Sequence, residues 1–119
     1  MAASADAADD PVLQALEGLV EAIHANAEVN KQILRRARQL RTARERQKSW
    51  RDITAAEERP LIIEMLRGNQ ARLSSAGSQL RRAQARALRE EGLTMDQIAF
   101  LFGVTRPRVI ALLRDSTKR

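Results

Sequence analysis

The chain has no cysteine and no tyrosine, a single histidine (His24), and only Trp50, Phe100 and Phe102 as aromatics. The missing cysteines exclude disulfides and thiolate metal sites. A lone histidine has no second imidazole with which to form a metal cluster or a proton relay. So few aromatics exclude a large aromatic core and leave little wall for a small-molecule pocket. No apolar run is long enough to cross a membrane. The opening MAASADAADD has neither the positive start nor the apolar middle of a secretory signal, so a cytoplasmic, nucleoid-associated location is expected. Ser74, Ser75 and Ser78 have no base of a suitable kind near them, and the expectation is a non-enzyme without cofactor or metal.

What is present is mostly helix-forming. Alanine, leucine, arginine, glutamate and glutamine dominate, and strand signals are nearly absent, so the fold expected is all-α. The formal net charge is +6, from 21 basic and 15 acidic residues. A basic balance suits a polyanionic partner. Arginine far outnumbers lysine, which suits phosphate forks but also follows from a GC-rich genome. Charge is segregated: residues 1–30 hold acids and neither lysine nor arginine, whereas the bases concentrate beyond residue 30.

Residues 1–10 are small and acidic and read as a disordered tail. Asp10 can cap a helix with Pro11 in its first turn. Val12, Leu13, Leu16, Leu19, Val20, Ile23, Ala27, Ile33, Leu34, Ala37 and Leu40 then recur at helical spacing, predicting one helix from Pro11 to about Lys48. It would be about 57 Å long, and its stripe needs a partner. Asn26 and Asn30 interrupt the stripe: either a register-setting polar pair in a coiled coil, or a bend.

Around residues 49–59 the periodicity weakens. Thr54 with Glu57 resembles a capping box, and Pro60 disfavours helix at Arg59 and can open the next one. Leu66, Leu73, Leu80 and Ala87, with Ala76 and Ala83 between them, give a short heptad pattern from about Leu61 toward Glu91. Gly68, Ser74, Ser75 and Gly77 weaken it, and a break near Ser74–Ser78 is an alternative. Residues 11–78 thus read as a helical, coiled-coil or bundle-like oligomerisation region, most simply of a homodimer.

The most informative stretch is Met95 to Arg114, MDQIAFLFGVTRPRVIALLR. Thr94 can cap a helix in which Ile98, Ala99 and Phe102 share a face. Gly103 stands where a chain leaving a helix often needs positive φ, and Val104 can plug the corner. Thr105 can cap a second helix whose inner stripe is Val109, Leu112 and Leu113. Pro107 is tolerated in its first turn. Phe100 is expected to pack against another part of the chain, while Ile110 points partly outward.

The pattern of Ile98, Ala99, Phe102, Gly103, Val104, Val109 and Leu112 resembles the helix-turn-helix of bacterial regulators, resolvase-type recombinases and the promoter-reading end of sigma factors. The resemblance covers the motif, or residues 79–119 with a supporting helix ended by Gly92, and nothing upstream. It implies double-stranded DNA as partner and a role in transcription regulation. A second helix in the major groove would read bases with Arg106 and Arg108. Thr94, Thr105, Arg114, Lys118 and Arg119 would hold the phosphate backbone. A dimer would space its half-sites by about 34 Å or a multiple. Pro107 and Ala111 replace polar recognition positions, which leaves specificity modest or carried by DNA shape. Alternatives are a nucleoid-associated protein of low specificity, or an adaptor tethering another protein to DNA.

Arg35, Arg38, Arg41, Arg44 and Lys48 form a second basic patch. Three readings stay open for it: a phosphate-tracking surface, a solvated face, or a counterpart to the acidic first half of the same helix in another subunit.

Overall fold

The computed structural model describes residues 9–115. Among them there are helices and no strand: α1 Pro11–Glu45, α2 Trp50–Ala56, α3 Ile62–Glu90, α4 Met95–Phe102 and α5 Arg106–Asp115. The protein is all-α, and among the described residues no helix is long and apolar enough to cross a membrane. The acidic stretch 1–8 lies outside the described residues.

Helix α1 begins as expected, with the Asp10 carboxylate accepting from the Val12 N–H at 2.8 Å and Pro11 in the first turn. It ends at Glu45, short of the expected Lys48. Gln47 takes φ +69°, and the N–H groups of Gln47 and Lys48 turn back onto the carbonyls of Arg44 and Ala43. A left-handed residue in this position satisfies the last free carbonyls of a helix. Because it is not glycine here, the stop carries no compositional signal.

The expected capping box at Thr54 does not form. Ser49 caps α2 instead, its hydroxyl accepting from the Asp52 N–H, and Glu57 is the residue that closes the helix. Pro60 does not open the next helix either. Helix α3 starts at Ile62, and Glu64 reaches back to accept from the Leu61 N–H at 2.8 Å. The alternative of a break near Ser74–Ser78 is excluded, since α3 runs through to Glu90. Along this helix Ala76, Ala83 and Ala85 are buried, whereas Ser74, Ser75 and Gly77 are exposed. Each serine or glycine costs the helix about 1 kcal/mol or less, too little to break a helix of this length.

The chain forms two compact units, residues 21–74 and residues 9–20 with 75–115. In the unit 21–74, α1 and α3 run antiparallel and are tied by polar side chains. Asn26, buried, donates through Nδ2 to the Asn69 carbonyl (3.0 Å) and accepts from Arg72 Nε (2.6 Å). Asn69 Nδ2 donates to Asn30 Oδ1 (2.8 Å). The two asparagines therefore mark an interhelical network within the chain and not a bend. Farther along, Arg36 Nη1 donates to the Glu57 carboxylate (2.8 Å) and to the carbonyls of Glu58 and Pro60 (both 2.9 Å), pinning the α2–α3 connection onto α1. Ile53 and Met65 complete the buried apolar set of this unit.

The helical faces differ from the expected stripes by one position. On α1, Asn26 is buried and Ile33, Arg36 and Leu40 are half-buried, whereas Ile23 and Leu34 are exposed. On α3, Met65 and Ala76 are buried, whereas Leu66 and Leu73 of the expected heptad are exposed.

Candidate nucleic-acid interface

In the unit formed by residues 9–20 and 75–115, the start of α1 lies beside the end of α3, with Pro11 and Val12 near Ala83 and Ala87. Gly92 ends α3 at φ +100°, and the N–H groups of Gly92 and Leu93 bond to the carbonyls of Arg89 and Leu88. Arg89 also donates to the Leu93 carbonyl at 2.9 Å. Thr94 then opens α4 through a reciprocal capping box with Gln97: each side chain accepts from the other's backbone N–H. Gly103 closes α4 at φ +68°, its own N–H and that of Val104 returning to the carbonyls of Phe100 and Ala99. The Thr105 hydroxyl accepts from the Arg108 N–H and caps α5.

Both turns place α4 and α5 around one core. Ile98, Val109 and Leu112 are essentially inaccessible and Ala99 is buried. Leu88, Leu93, Met95, Phe102 and Leu113 pack against the cluster. The Arg81 guanidinium of α3 lies 4.0 Å from the centre of the Phe102 ring, a cation–π contact to α4. Two expectations fail in this region. Val104 does not plug the corner; it is 38% exposed. Phe100 does not pack on another part of the chain; it is 86% exposed, because it lies two residues, or about 200°, round α4 from the fully buried Ile98.

The expected DNA-facing residues occupy accessible positions. Arg106 and Arg108 are exposed at the start of α5, and Arg114 is exposed at its last turn. Arg106 Nε stands 3.9 Å from Asp96 in the first turn of α4, and both side chains are largely solvated. Asp96 was not among the site residues read from the sequence, although it lies in the first turn of the neighbouring helix. Arg108 makes no ion pair among the described residues. The hydroxyl oxygens of Thr94 and Thr105 are engaged as helix caps. Lys118 and Arg119 lie outside the described residues.

The second basic patch belongs to the unit 21–74. Arg35, Arg38, Arg41, Arg44 and Lys48 are all exposed. Arg41 is paired with Glu45 at 3.0 Å; Arg44 donates to the Lys48 carbonyl and covers the Trp50 ring at 5.2 Å. Arg38, Arg46 and Lys48 border a shallow groove with Gln39, Thr42 and Ala43. Among the described residues no group of acids and histidine is arranged to hold a metal.

Among the described residues, Glu57 is the carboxylate whose acidity clearly departs from the ordinary. The Ile62 N–H, donated at 2.7 Å, holds its pKa down, and the Arg36 guanidinium adds to this against the opposing effect of burial. It is a structural group, distant in sequence from α4 and α5.

No family model matches the chain, and no curated protein or solved structure matches it.

Proposed function

We propose that α4, the Gly103 turn and α5 act as a helix-turn-helix that binds double-stranded DNA, and that the protein is a small transcriptional regulator working as a homodimer. The observation that carries this reading is the pairing of a two-helix core, Ile98 and Ala99 against Val109, with two solvated guanidinium groups at the start of the second helix. Arg106 and Arg108 approach guanine O6 and N7 in the major groove. Arg114 holds a phosphate, and the start of α5 carries the partial positive charge of a helix N-terminus toward the backbone. The net charge of +6 supplies the non-specific part of the affinity, which falls as salt rises.

Pro107 and Ala111 on α5 offer no hydrogen-bond code, which favours modest specificity; a chromosome-coating role is the limiting case. The exposed Phe100 and Leu101 favour a second reading, in which the same unit also tethers a protein partner to DNA.

Selection from a random duplex pool followed by fluorescence anisotropy tests the assignment. The double variant Arg106→Ala/Arg108→Ala is expected to lose specific binding. Unchanged affinity in that variant sinks the proposal. A sharp consensus identifies a regulator, and its absence a DNA-coating protein.

A further inference from the structure

The unit 21–74 carries two apolar seams where a two-helix hairpin needs one. On α1 the covered seam runs through Asn26, Val29, Ile33, Arg36 and Leu40, all buried or half-buried. One position farther along the chain, Ile23, Ala27, Asn30 and Leu34 repeat the same alternation of three and four residues, and all are exposed. Helix α3 does the same. Ile62, Met65, Asn69 and Arg72 are covered, while Ile63, Leu66, Gln70 and Leu73 lie exposed one position on. One residue is a rotation of about 100°. In antiparallel helices, that rotation carries both extra seams to the same side of the hairpin. They therefore form one face, with Ile23 and Leu34 at 51–54% exposed and Ile63, Leu66 and Leu73 at 43–47%.

The hydrogen bonds fix which residues of this face lie level. Asn26 meets Asn69 and Arg72, and Asn30 meets Asn69. Ile23 is therefore level with Leu73, Ala27 with Gln70, Asn30 with Leu66, and Leu34 with Ile63. The face is apolar at both ends and mixed in the middle. It is also symmetric about its own centre. The midpoint between Ile23 and Leu34 and the midpoint between Ile63 and Leu73 fall at the same level, beside Val29 and Gly68.

We propose that this face docks a second copy of the chain, face to face, about a two-fold axis perpendicular to the helices at that level, forming an antiparallel four-helix bundle. Both end layers then join Ile23 and Leu73 of one copy to the partner's Leu34 and the partner's Ile63. The central layers join Ala27 and Gln70 to the partner's Asn30 and the partner's Leu66. A two-fold interface must be self-complementary, and one axis satisfies α1 and α3 together, a condition that a face for a foreign partner has no reason to meet. Charge agrees. The outer flank of α1 carries Glu21 before the centre and Arg35 after it, so an antiparallel copy sets each Glu21 beside the partner's Arg35. Asn30, already held by Asn69, and Gln70 place polar groups in the central layers, where they fix register at a cost in stability.

The proposal gives the homodimer of the proposed function its surface, but it rests on the unit 21–74 and is tested without DNA. Its failure therefore leaves the DNA reading standing, and failure of the DNA reading leaves it standing. Sedimentation equilibrium of the full chain is expected to show a dimer. Leu34→Glu/Leu73→Glu is expected to raise its dissociation constant about 100-fold or more by burying charge. Both sites are exposed in the single chain, so helicity by circular dichroism should be retained. Register is read with a short bis-maleimide, since the chain has no cysteine of its own. Ile23→Cys/Leu34→Cys should cross-link to a covalent dimer and each single variant should not, because like positions lie about 16 Å apart along the axis. A monomeric wild type, a dimer that survives the double glutamate variant, or cross-linking of a single-cysteine variant overturns it.

Discussion

Asp96 controls how much charge Arg106 presents. At 3.9 Å and well solvated, the pair is worth at most about 1 kcal/mol, so on the proposed function a DNA phosphate or base would displace it. Asp96→Asn should therefore tighten DNA binding about threefold at low ionic strength, with the gain shrinking as salt screens it; an anisotropy titration over a salt series checks this. Glu57 acts on stability. Its pKa is held down in the folded chain by the Ile62 N–H and then by Arg36. The stability it contributes is thus complete above the ordinary carboxylate range and is lost as pH falls through the lowered folded value. Glu57→Gln should cost about 2 kcal/mol at neutral pH, and chemical denaturation should show wild type and variant converging in acid. Arg36, its partner, was legible in principle, because its position continues the covered seam of Ile33 and Leu40. Among so many arginines of identical type, only that spacing set it apart.

Helix ends were legible where their chemistry is unambiguous. Gly92 and Gly103 end α3 and α4 with positive φ, and Thr94 with Gln97 begins α4. Gln47 was not, because a non-glycine residue in the left-handed region looks like any other polar residue. Thr54 and Glu57 have the right spacing for a capping box, but the Glu57 carboxylate has better donors in Arg36 and Ile62. The glycines of this protein consequently divide by conformation. A Cβ at Gly103 meets no neighbour, yet the positive φ makes Gly103→Ala cost about 1 kcal/mol. Gly77 has equally open space within α3, and Gly77→Ala should stabilise by about 0.5–1 kcal/mol. Thermal unfolding of the two variants should move in opposite directions; a shared direction would show that φ does not decide the difference.

At the scale of the whole molecule, composition was enough for the all-α class, since few strand formers and many strong helix formers leave little choice. Helix pairing was not legible. Each long helix has apolar residues at two adjacent seams, and periodicity alone does not say which seam is covered. The buried Asn26 lies in the seam that is covered and the large aliphatics Ile23 and Leu34 in the one that is not, the reverse of what hydrophobicity suggests. The core beneath Arg106 and Arg108 was easier to read, because α4 and α5 are close in sequence and their turn fixes their packing. One arrangement also bears on biosynthesis. Residues 9–20 share a compact unit with residues 75–115. During translation that first segment leaves the ribosome early and waits for a distant counterpart. The stretch 21–74, by contrast, is a compact unit of contiguous sequence, so it is expected to fold before residues 9–20 meet residues 75–115.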